Sequence, residues 1–187
     1  MQDMQPITAA TALPNQQASE SLITLYHTPA KDLARVFAHY KNVAWQLGED
    51  HTGPGLEAIA PATVLASEDG WTIRSGGKMP QLLLPPIGLL SGRPLLLRVE
   101  ITAPQETELR VYYCRASQAD YSPTRYISSP LSAGHNVVYL SIDVPDLTGR
   151  LRFDPGRCAG QFCLHGLEVR TPQPEPKCDI EDMPSTD

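Results

Sequence analysis

The side chains best suited to binding a ligand lie close together in one polar stretch, which contains Tyr121, Arg125 and Tyr126. A tyrosine ring offers an apolar face on which the C–H face of a sugar can stack, and an arginine donates hydrogen bonds to hydroxyl oxygens. The stretch from Ala116 to Gly134 shows no apolar periodicity, so we expect one long loop there. Loops longer than about 12 residues without secondary structure are often functional. These residues are the best candidates for a ligand platform, although packing of both tyrosines within the loop is the interpretation that their types favour.

Two further tyrosines are expected on the outward faces of strands. The alternation of apolar and polar residues places Tyr112 and Tyr139 opposite the apolar side chains of their own segments. Outward rings of this kind would extend the platform. The predicted ligand-binding residues are therefore Tyr121, Arg125, Tyr126, Tyr112 and Tyr139.

No arrangement of residues matches a catalytic or cofactor-binding motif. The five histidines lie at no spacing typical of metal ligands or of a nucleophile and its base. The sequence contains no Gly-x-Ser-x-Gly elbow, and neither Gly53-Pro54-Gly55 nor Ser75-Gly76-Gly77 opens a helix as a phosphate-binding loop does. We predict a protein that is not an enzyme and that binds neither a cofactor nor a metal ion.

The cysteines leave three alternatives open. Cys158 and Cys163 are separated by four residues and could remain thiols or close a small disulfide loop. A zinc site formed with His165 and Cys114 is the third alternative, although it lacks the paired Cys-x-x-Cys spacing of most such sites. The absence of a secretion signal favours free thiols.

Composition and charge exclude several classes of partner. The chain has 187 residues and a formal net charge of −6, and no stripe of lysine or arginine interrupts that negative balance. An acidic chain repels phosphate backbones, so we expect no nucleic-acid partner. The first 20 residues lack an apolar signal segment, and no apolar run approaches the roughly 20 residues needed to cross a bilayer. These features predict a cytoplasmic protein with no membrane span.

One helix is predicted, from Pro29 to about Gln46. Thr28 is a suitable cap, and proline fits the first helical position. An apolar stripe at helical spacing follows, formed by Leu33, Val36, Phe37 and Tyr40. The helix would either support the end or the edge of the sandwich, which is the favoured interpretation, or associate with a partner, and the second alternative predicts a homo-oligomer.

From Leu56 onward the apolar period changes to two, which is typical of antiparallel strands with one buried face. In the final strand Phe162 and Leu164 share one parity, whereas Leu167 and Val169 share the other. Such a phase slip requires an additional residue, so we predict a β-bulge at Gly166. The predicted fold class is all-β, an antiparallel jelly-roll β-sandwich with one N-terminal amphipathic helix.

The chain divides into four predicted parts. Residues 1–19 form a disordered tail, although Leu22–Tyr26 could form a first strand, and residues 20–55 comprise an arm and the helix. The β-sandwich spans residues 56–170. Alternating prolines then introduce a Pro-rich acidic tail at residues 171–187.

A tight turn is predicted at Asp154-Pro155-Gly156-Arg157. The Asp154 side chain would accept hydrogen bonds from backbone N–H groups, and Pro155 would fix φ at its own position. The alternative is that Asp154 and Arg157 bind the hydroxyl groups of a sugar. The turn is the interpretation that the flanking strands favour.

Three segments carry a resemblance to a known group: Pro80-Gln81-Leu82-Leu83-Leu84-Pro85, Leu109-Arg110-Val111-Tyr112-Tyr113 and Leu151-Arg152-Phe153-Asp154-Pro155-Gly156. Together with the divided last strand, they resemble the galactose-binding-like jelly-roll domains attached to bacterial surface-polysaccharide glycosyltransferases. The resemblance covers roughly residues 60–170.

This resemblance implies a non-catalytic carbohydrate-binding or accessory domain in bacterial cell-surface polysaccharide synthesis. Its partner would be a glycan or a glycosyltransferase. The alternative function is a protein–protein interaction or oligomerisation module that has no glycan ligand.

Overall fold

The structure is a computed structural model that describes residues 30–47, 55–59, 61–77, 79–88 and 93–172. The predicted tail at residues 1–19 and the predicted strand at Leu22–Tyr26 lie outside the described residues. The predicted acidic tail also lies outside them, apart from Thr171 and Pro172.

The described residues form one helix and eleven strands. Their bounds are α1 Ala30–His39, β1 Asn42–Gln46, β2 Glu57–Ile59, β3 Ala62–Ser67, β4 Gly70–Ser75, β5 Gln81–Leu83, β6 Leu95–Ala103, β7 Thr107–Arg115, β8 Tyr126–Leu131, β9 Gly134–Ile142, β10 Leu147–Asp154 and β11 Gly160–Thr171.

These strands build two antiparallel sheets that pack face to face. The six-stranded sheet has the order β3-β4-β11-β6-β9, and β1 pairs with β11 beyond the end of β4. The five-stranded sheet has the order β2-β5-β10-β7-β8. The predicted fold class, an antiparallel β-sandwich with one short helix, is confirmed for the part of the chain that is described.

The core lies between the sheets and contains the inward residues of both. Phe162 and Leu164 of β11 face Phe153 and Leu151 of β10, and all four side chains are fully buried. Burying a side chain of this size stabilises the fold by about 1.5–3 kcal/mol. Alternation along most of each long strand leaves polar and aromatic side chains on the outer faces.

The predicted bulge at Gly166 is confirmed. Against β6, Leu164 pairs with Ile101 and Gly166 pairs with Glu100, so His165 is the additional residue on β11. The additional residue restores the inward orientation of Leu167, which is buried.

The helix is shorter than the sequence predicts. It ends at His39 rather than Gln46, and Asn42–Gln46 forms strand β1. The Nδ1 atom of His39 lies 2.7 Å from the carbonyl oxygen of Arg35, and Lys41 Nζ donates to the carbonyl of Ala38 at 2.6 Å. These side chains bind the last free carbonyls of the helix. The chain then continues along β11, where pairing with a strand stabilises it more than a further helical turn.

The predicted loop from Ala116 to Gly134 is wrong in its second half, because Tyr126–Leu131 forms β8 and pairs with β7. Ile127 and Leu131 point into the core and are buried. Pro130 is tolerated because β8 is an edge strand, where a missing N–H removes no ladder hydrogen bond. The serines and proline of this strand have low strand propensity and obscured its alternation.

Candidate ligand-binding face of the five-stranded sheet

The outer face of the five-stranded sheet carries a row of aromatic and cationic side chains. Leu109 and Val111 of β7 point into the core, so Arg110 and Tyr112 point outward. In the ladder, Tyr112 pairs with Arg152 of β10 on one side and with Tyr126 of β8 on the other. Residues distant in sequence therefore become neighbours across three strands.

Rings and guanidinium groups alternate along this row. The guanidinium carbon of Arg152 lies 3.8 Å from the centroid of the Tyr112 ring, and the guanidinium carbon of Arg110 lies 4.3 Å from that of Tyr126. The Tyr112 and Tyr126 ring centroids are 5.1 Å apart. On the far side of Arg152, the Tyr121 centroid is 5.6 Å away. Each cation–π contact contributes about 0.5–2 kcal/mol, so the row is a rigid surface. We call these five residues the Tyr–Arg row.

The two arginines of the Tyr–Arg row are each held by a carboxylate. Arg152 donates to both oxygens of Asp154, from Nε at 3.0 Å and from Nη2 at 3.1 Å. Arg110 donates to Oε2 of Glu108 from Nε at 2.8 Å and from Nη2 at 2.5 Å. These bonds fix the guanidinium planes against the rings, which is the pre-organisation that a binding surface requires.

Burial affects these two carboxylates differently. Asp154 is only 2% exposed, and this burial raises its pKa above the ordinary value despite the opposing charge of Arg152. Burial also acts to raise the pKa of Glu108, but hydrogen bonds from Ser128 and Arg110 outweigh it, so the pKa is lowered. Glu108 therefore holds its negative charge more firmly than Asp154 does.

The segment between β7 and β8 is held across one end of this face. Arg125 donates from Nη1 to the carbonyl of Gln118 at 3.3 Å and from Nη2 to the carbonyl of Asp120 at 3.2 Å. Tyr121 is half-buried, and desolvation raises the pKa of its hydroxyl. Arg125 thus orders the segment from within and positions Tyr121 at the end of the Tyr–Arg row.

An open groove of about 320 Å³ begins where Tyr121 lies. Tyr121 and Arg150 both line it, and so does the acidic residue Glu57 of β2. The groove is lined by Gly55, Glu57, Leu83, Leu84, Pro85, Pro86, Tyr121 and Arg150. A ligand lying on the Tyr–Arg row would reach this groove at its Tyr121 end.

The structure brings together four of the five predicted ligand-binding residues, namely Tyr112, Tyr121, Arg125 and Tyr126. Tyr112 is only 2% exposed, so it supports Arg152 and Tyr126 from below. Tyr121, Arg125 and Tyr126 are half-buried and present partial surfaces to solvent.

Tyr139, the fifth, lies on the outer face of the six-stranded sheet, in β9. Its ring packs edge-on against Phe37 of α1, with the centroids 5.5 Å apart. The structure therefore does not join it to the Tyr–Arg row.

Sequence reasoning missed Arg110, Arg150 and Arg152 as members of this face. The alternation of apolar and polar residues in β7 and β10 does indicate that these arginines point outward. The sequence alone does not indicate the register between β10 and β7, which pairs Arg152 with Tyr112. That register brings the guanidinium group of Arg152 against the tyrosine ring.

At the position of the predicted turn, Asp154 ends β10 and the chain bends from Arg157 onward before β11 begins, and the aspartate has a different role from the predicted one. Its carboxylate accepts hydrogen bonds from Arg152 of its own strand, whereas the prediction assigned it backbone N–H donors. This segment is instead held by Arg157, whose backbone N–H donates to Thr107 Oγ1 at 2.8 Å. Gly156 fits closely against the ring of Phe162.

Cys114, Cys158 and Cys163 are free thiols in the structure, so the disulfide alternative is not formed. Cys163 Sγ lies 3.8 Å from Nδ1 of His165, but Cys114 lies in β7 of the other sheet, so the structure does not bring together all the residues of the zinc alternative. Within the described residues, no group of three or more His, Cys, Asp or Glu side chains could hold a metal ion.

No helix in the described parts of the chain is long and apolar enough to cross a membrane.

Comparison with solved structures shows that this fold occurs in carbohydrate-binding modules. The chain is similar to BiXyn10A CBM1, with a TM-score of 0.54 and 10% identity over 70% of this chain and 99% of that one. It is similar to a xylan-binding domain of family CBM 22, with a TM-score of 0.52 and 15% identity over 70% and 96% of the two chains.

A further similar structure is the family 22 carbohydrate-binding module of Clostridium thermocellum Xyn10B, with a TM-score of 0.51 and 16% identity over 71% of this chain and 94% of that one. No protein-family model matches the chain, and neither does any curated protein. At these identities the similarity shows a shared β-sandwich fold.

Proposed function

We propose that this chain is a non-catalytic carbohydrate-binding domain whose glycan lies along the outer face of the five-stranded sheet. The observation that carries the proposal is the Tyr–Arg row, a rigid surface of rings and guanidinium groups that ends at an open groove. Shared architecture with carbohydrate-binding modules supports the same conclusion.

The chemistry of the row suits a saccharide. Tyr121 and Tyr126 present apolar ring surface for the C–H face of a sugar, and arginine N–H groups and the Glu108 carboxylate can bind hydroxyl groups. Tyr112 lies beneath and keeps the row rigid. Because these groups are already ordered by one another, little conformational entropy is lost when a glycan binds.

The finer part of this proposal concerns biological context. The sequence resemblance to domains attached to surface-polysaccharide glycosyltransferases supports a role in bacterial polysaccharide synthesis, in which the domain places a glycan against a glycosyltransferase partner.

The division into residues 20–55 and 56–170 stays a prediction. Because β1 pairs with β11, any shortened variant should retain residues 42–47.

The proposal is tested by screening the protein on a broad glycan array and then comparing variants on the glycans that bind. Tyr126→Ala removes exposed ring surface from the row and should weaken binding about tenfold or more, since stacked aromatic contacts contribute on the order of 1–2 kcal/mol. Val137→Ala, an exposed apolar change on the other sheet, is the matched control and should bind like the wild type. An array without any bound glycan would contradict the proposal.

The alternative, an oligomerisation module, depends on helix α1. The apolar stripe of this helix packs on its own sheet through buried Phe37, while Val36 is 39% exposed on the other side. Multi-angle light scattering tests this alternative directly, because it requires a dimer or larger species at micromolar concentration.

A further inference from the structure

Arg150 differs from the other arginines on the outer face of the five-stranded sheet. Arg110 and Arg152 each bind a carboxylate, but among the described residues no carboxylate lies within 4 Å of the Arg150 guanidinium. Arg150 is exposed and lines the groove of about 320 Å³. An unpaired cation in a concave site is a feature that a bound anion would complete.

The Arg150 guanidinium is nevertheless held in place. Its Nη1 atom donates to the backbone carbonyl of Ala119 at 2.9 Å, and its central carbon lies 5.7 Å from the centroid of the Tyr121 ring. These contacts use one N–H group and one side of the guanidinium. The other N–H groups of Arg150 have no partner within the described part of the chain, so they remain able to donate in pairs.

We propose that the glycan carries a carboxylate, as in a uronic acid residue, and that Arg150 binds this carboxylate in the groove. The inference rests on the proposed function and adds the chemical class of the ligand. A planar guanidinium matches the two oxygens of a carboxylate, and a partner that is already positioned loses little side-chain entropy. Tyr121 provides the adjacent ring surface for the same sugar.

Glu57 limits the kind of anion that the groove accepts. Its carboxylate lines the same groove, so it repels an anion in proportion to the charge of that anion. A carboxylate carries one negative charge, whereas a phosphate monoester carries about two at neutral pH and is repelled more strongly. Glu57 can accept hydrogen bonds from the hydroxyl groups of the sugar whose carboxylate binds Arg150. The groove therefore favours a carboxylated sugar.

The test compares acidic oligosaccharides with carboxyl-reduced forms of the same molecules. Oligogalacturonides, alginate oligomers and glucuronoxylan fragments are titrated by calorimetry against the full chain, each with its reduced counterpart. At least one acidic probe should bind about tenfold or more tightly than its reduced form, because reduction removes the charge and keeps the ring. Its affinity should fall as salt is added, since the site is open to solvent.

Variants of Arg150 then assign the effect to the groove. Arg150→Gln should lose the preference for the acidic form, and Arg150→Lys should retain part of it because charge remains without the planar fork. Arg74→Gln is the matched control, with the same charge change at an exposed arginine on the six-stranded sheet. Glu57→Gln should strengthen binding of the acidic probe by removing repulsion.

The outcomes separate this inference from the proposed function. If both forms of a glycan bind equally and Tyr126→Ala weakens both, the glycan site stands and the carboxylate assignment is overturned. The assignment is also overturned if sulfated or phosphorylated glycans bind more tightly than carboxylated ones through Arg150. If no glycan binds at all, the proposed function itself fails, and this inference fails with it.

Discussion

Tyr112 illustrates how one side chain can determine the shape of a binding face without meeting the ligand. Its ring is nearly inaccessible, and it carries Arg152 on one face while lying beside Tyr126. Its hydroxyl accepts a long hydrogen bond, at 3.5 Å, from Nη1 of Arg110, and a bond of this length is weak. The ring, rather than the hydroxyl, is therefore the part that orders the row.

Substitutions at Tyr112 should separate these two parts. Tyr112→Phe keeps the ring, so we expect a loss of less than about 1 kcal/mol in the free energy of unfolding and little change in glycan affinity. Tyr112→Ala removes the ring and leaves a cavity under Arg152, which should cost about 3–5 kcal/mol. Urea denaturation measures both, and equal losses in the two variants would contradict the role assigned to the ring.

At the scale of elements, one constraint is the close approach of the segment after β10 to the closing strand β11. A Cβ atom added at Gly156 would lie 2.5 Å from Cζ of Phe162, and the ring of Phe162 is fully buried. A side chain at position 156 would force the buried ring of Phe162 to move. The glycine that the sequence offered as a turn residue is thus a packing requirement of the fold.

Gly156→Ala should therefore lower the free energy of unfolding by about 1–3 kcal/mol, because overpacking displaces a buried ring. Gly76→Ala is the matched control, since no atom lies within 4 Å of the added Cβ, and its effect should be much smaller. Adding Phe162→Leu to Gly156→Ala relieves the contact, so the two losses should be less than additive. Fully additive losses would exclude the contact as the cause.

A strand could be predicted from the sequence where one of its faces is buried in the core over much of its length. Strands such as β6 and β9 alternate over most of their length because one face is buried there, and this pattern is visible in the residues alone. Strand β8 is short, lies at an edge and contains Pro130, so its stability comes from pairing with β7 rather than from its own residues. Strand β1 is likewise defined by β11.

The candidate site shows the same limit. Tyr121, Arg125 and Tyr126 could be identified because they lie close together in the chain. Their connection to Arg152 arises from the pairing of β10 with β7, which joins segments far apart in sequence. Such register is decided by the packing of both sheets at once, and single-strand patterns do not contain it.

At the scale of the whole molecule, the two outer faces differ. Helix α1 covers part of the six-stranded sheet, where Phe37 packs on Tyr139, and the guanidinium of Arg170 lies 4.2 Å from the centroid of the Phe37 ring. No described helix lies on the five-stranded sheet. Within the described ranges, the face without a helix is the one that carries the Tyr–Arg row.

The carboxylates on these two faces contribute to acid stability with different signs. On the six-stranded sheet, a hydrogen bond from Arg98 and then one from His135 hold the pKa of Glu100 below its ordinary value. A lowered pKa in the folded state adds stability that is present above about pH 4.5 and is lost as the pH falls through the folded value. Glu108 contributes with the same sign. Burial raises the pKa of Asp154, so its contribution is largest below pH 3.8 and disappears as the pH rises through its folded value.

Acidification should therefore destabilise the protein through Glu100 and Glu108, while protonation of Asp154 offsets part of the loss. Glu100→Gln has no carboxylate to protonate at this position, so one source of the stability loss in acid is removed. The fall in melting temperature between pH 6 and pH 3 should therefore be shallower. Asp154→Asn removes the offset and should make that fall steeper, even though it also lowers the melting temperature at pH 6 by leaving Arg152 without its partner. Melting curves at several pH values measure these slopes, with Glu106→Gln, an exposed acidic residue, as the control. A shallower fall in Asp154→Asn would show that Arg152 stabilises the charged carboxylate by more than burial disfavours it.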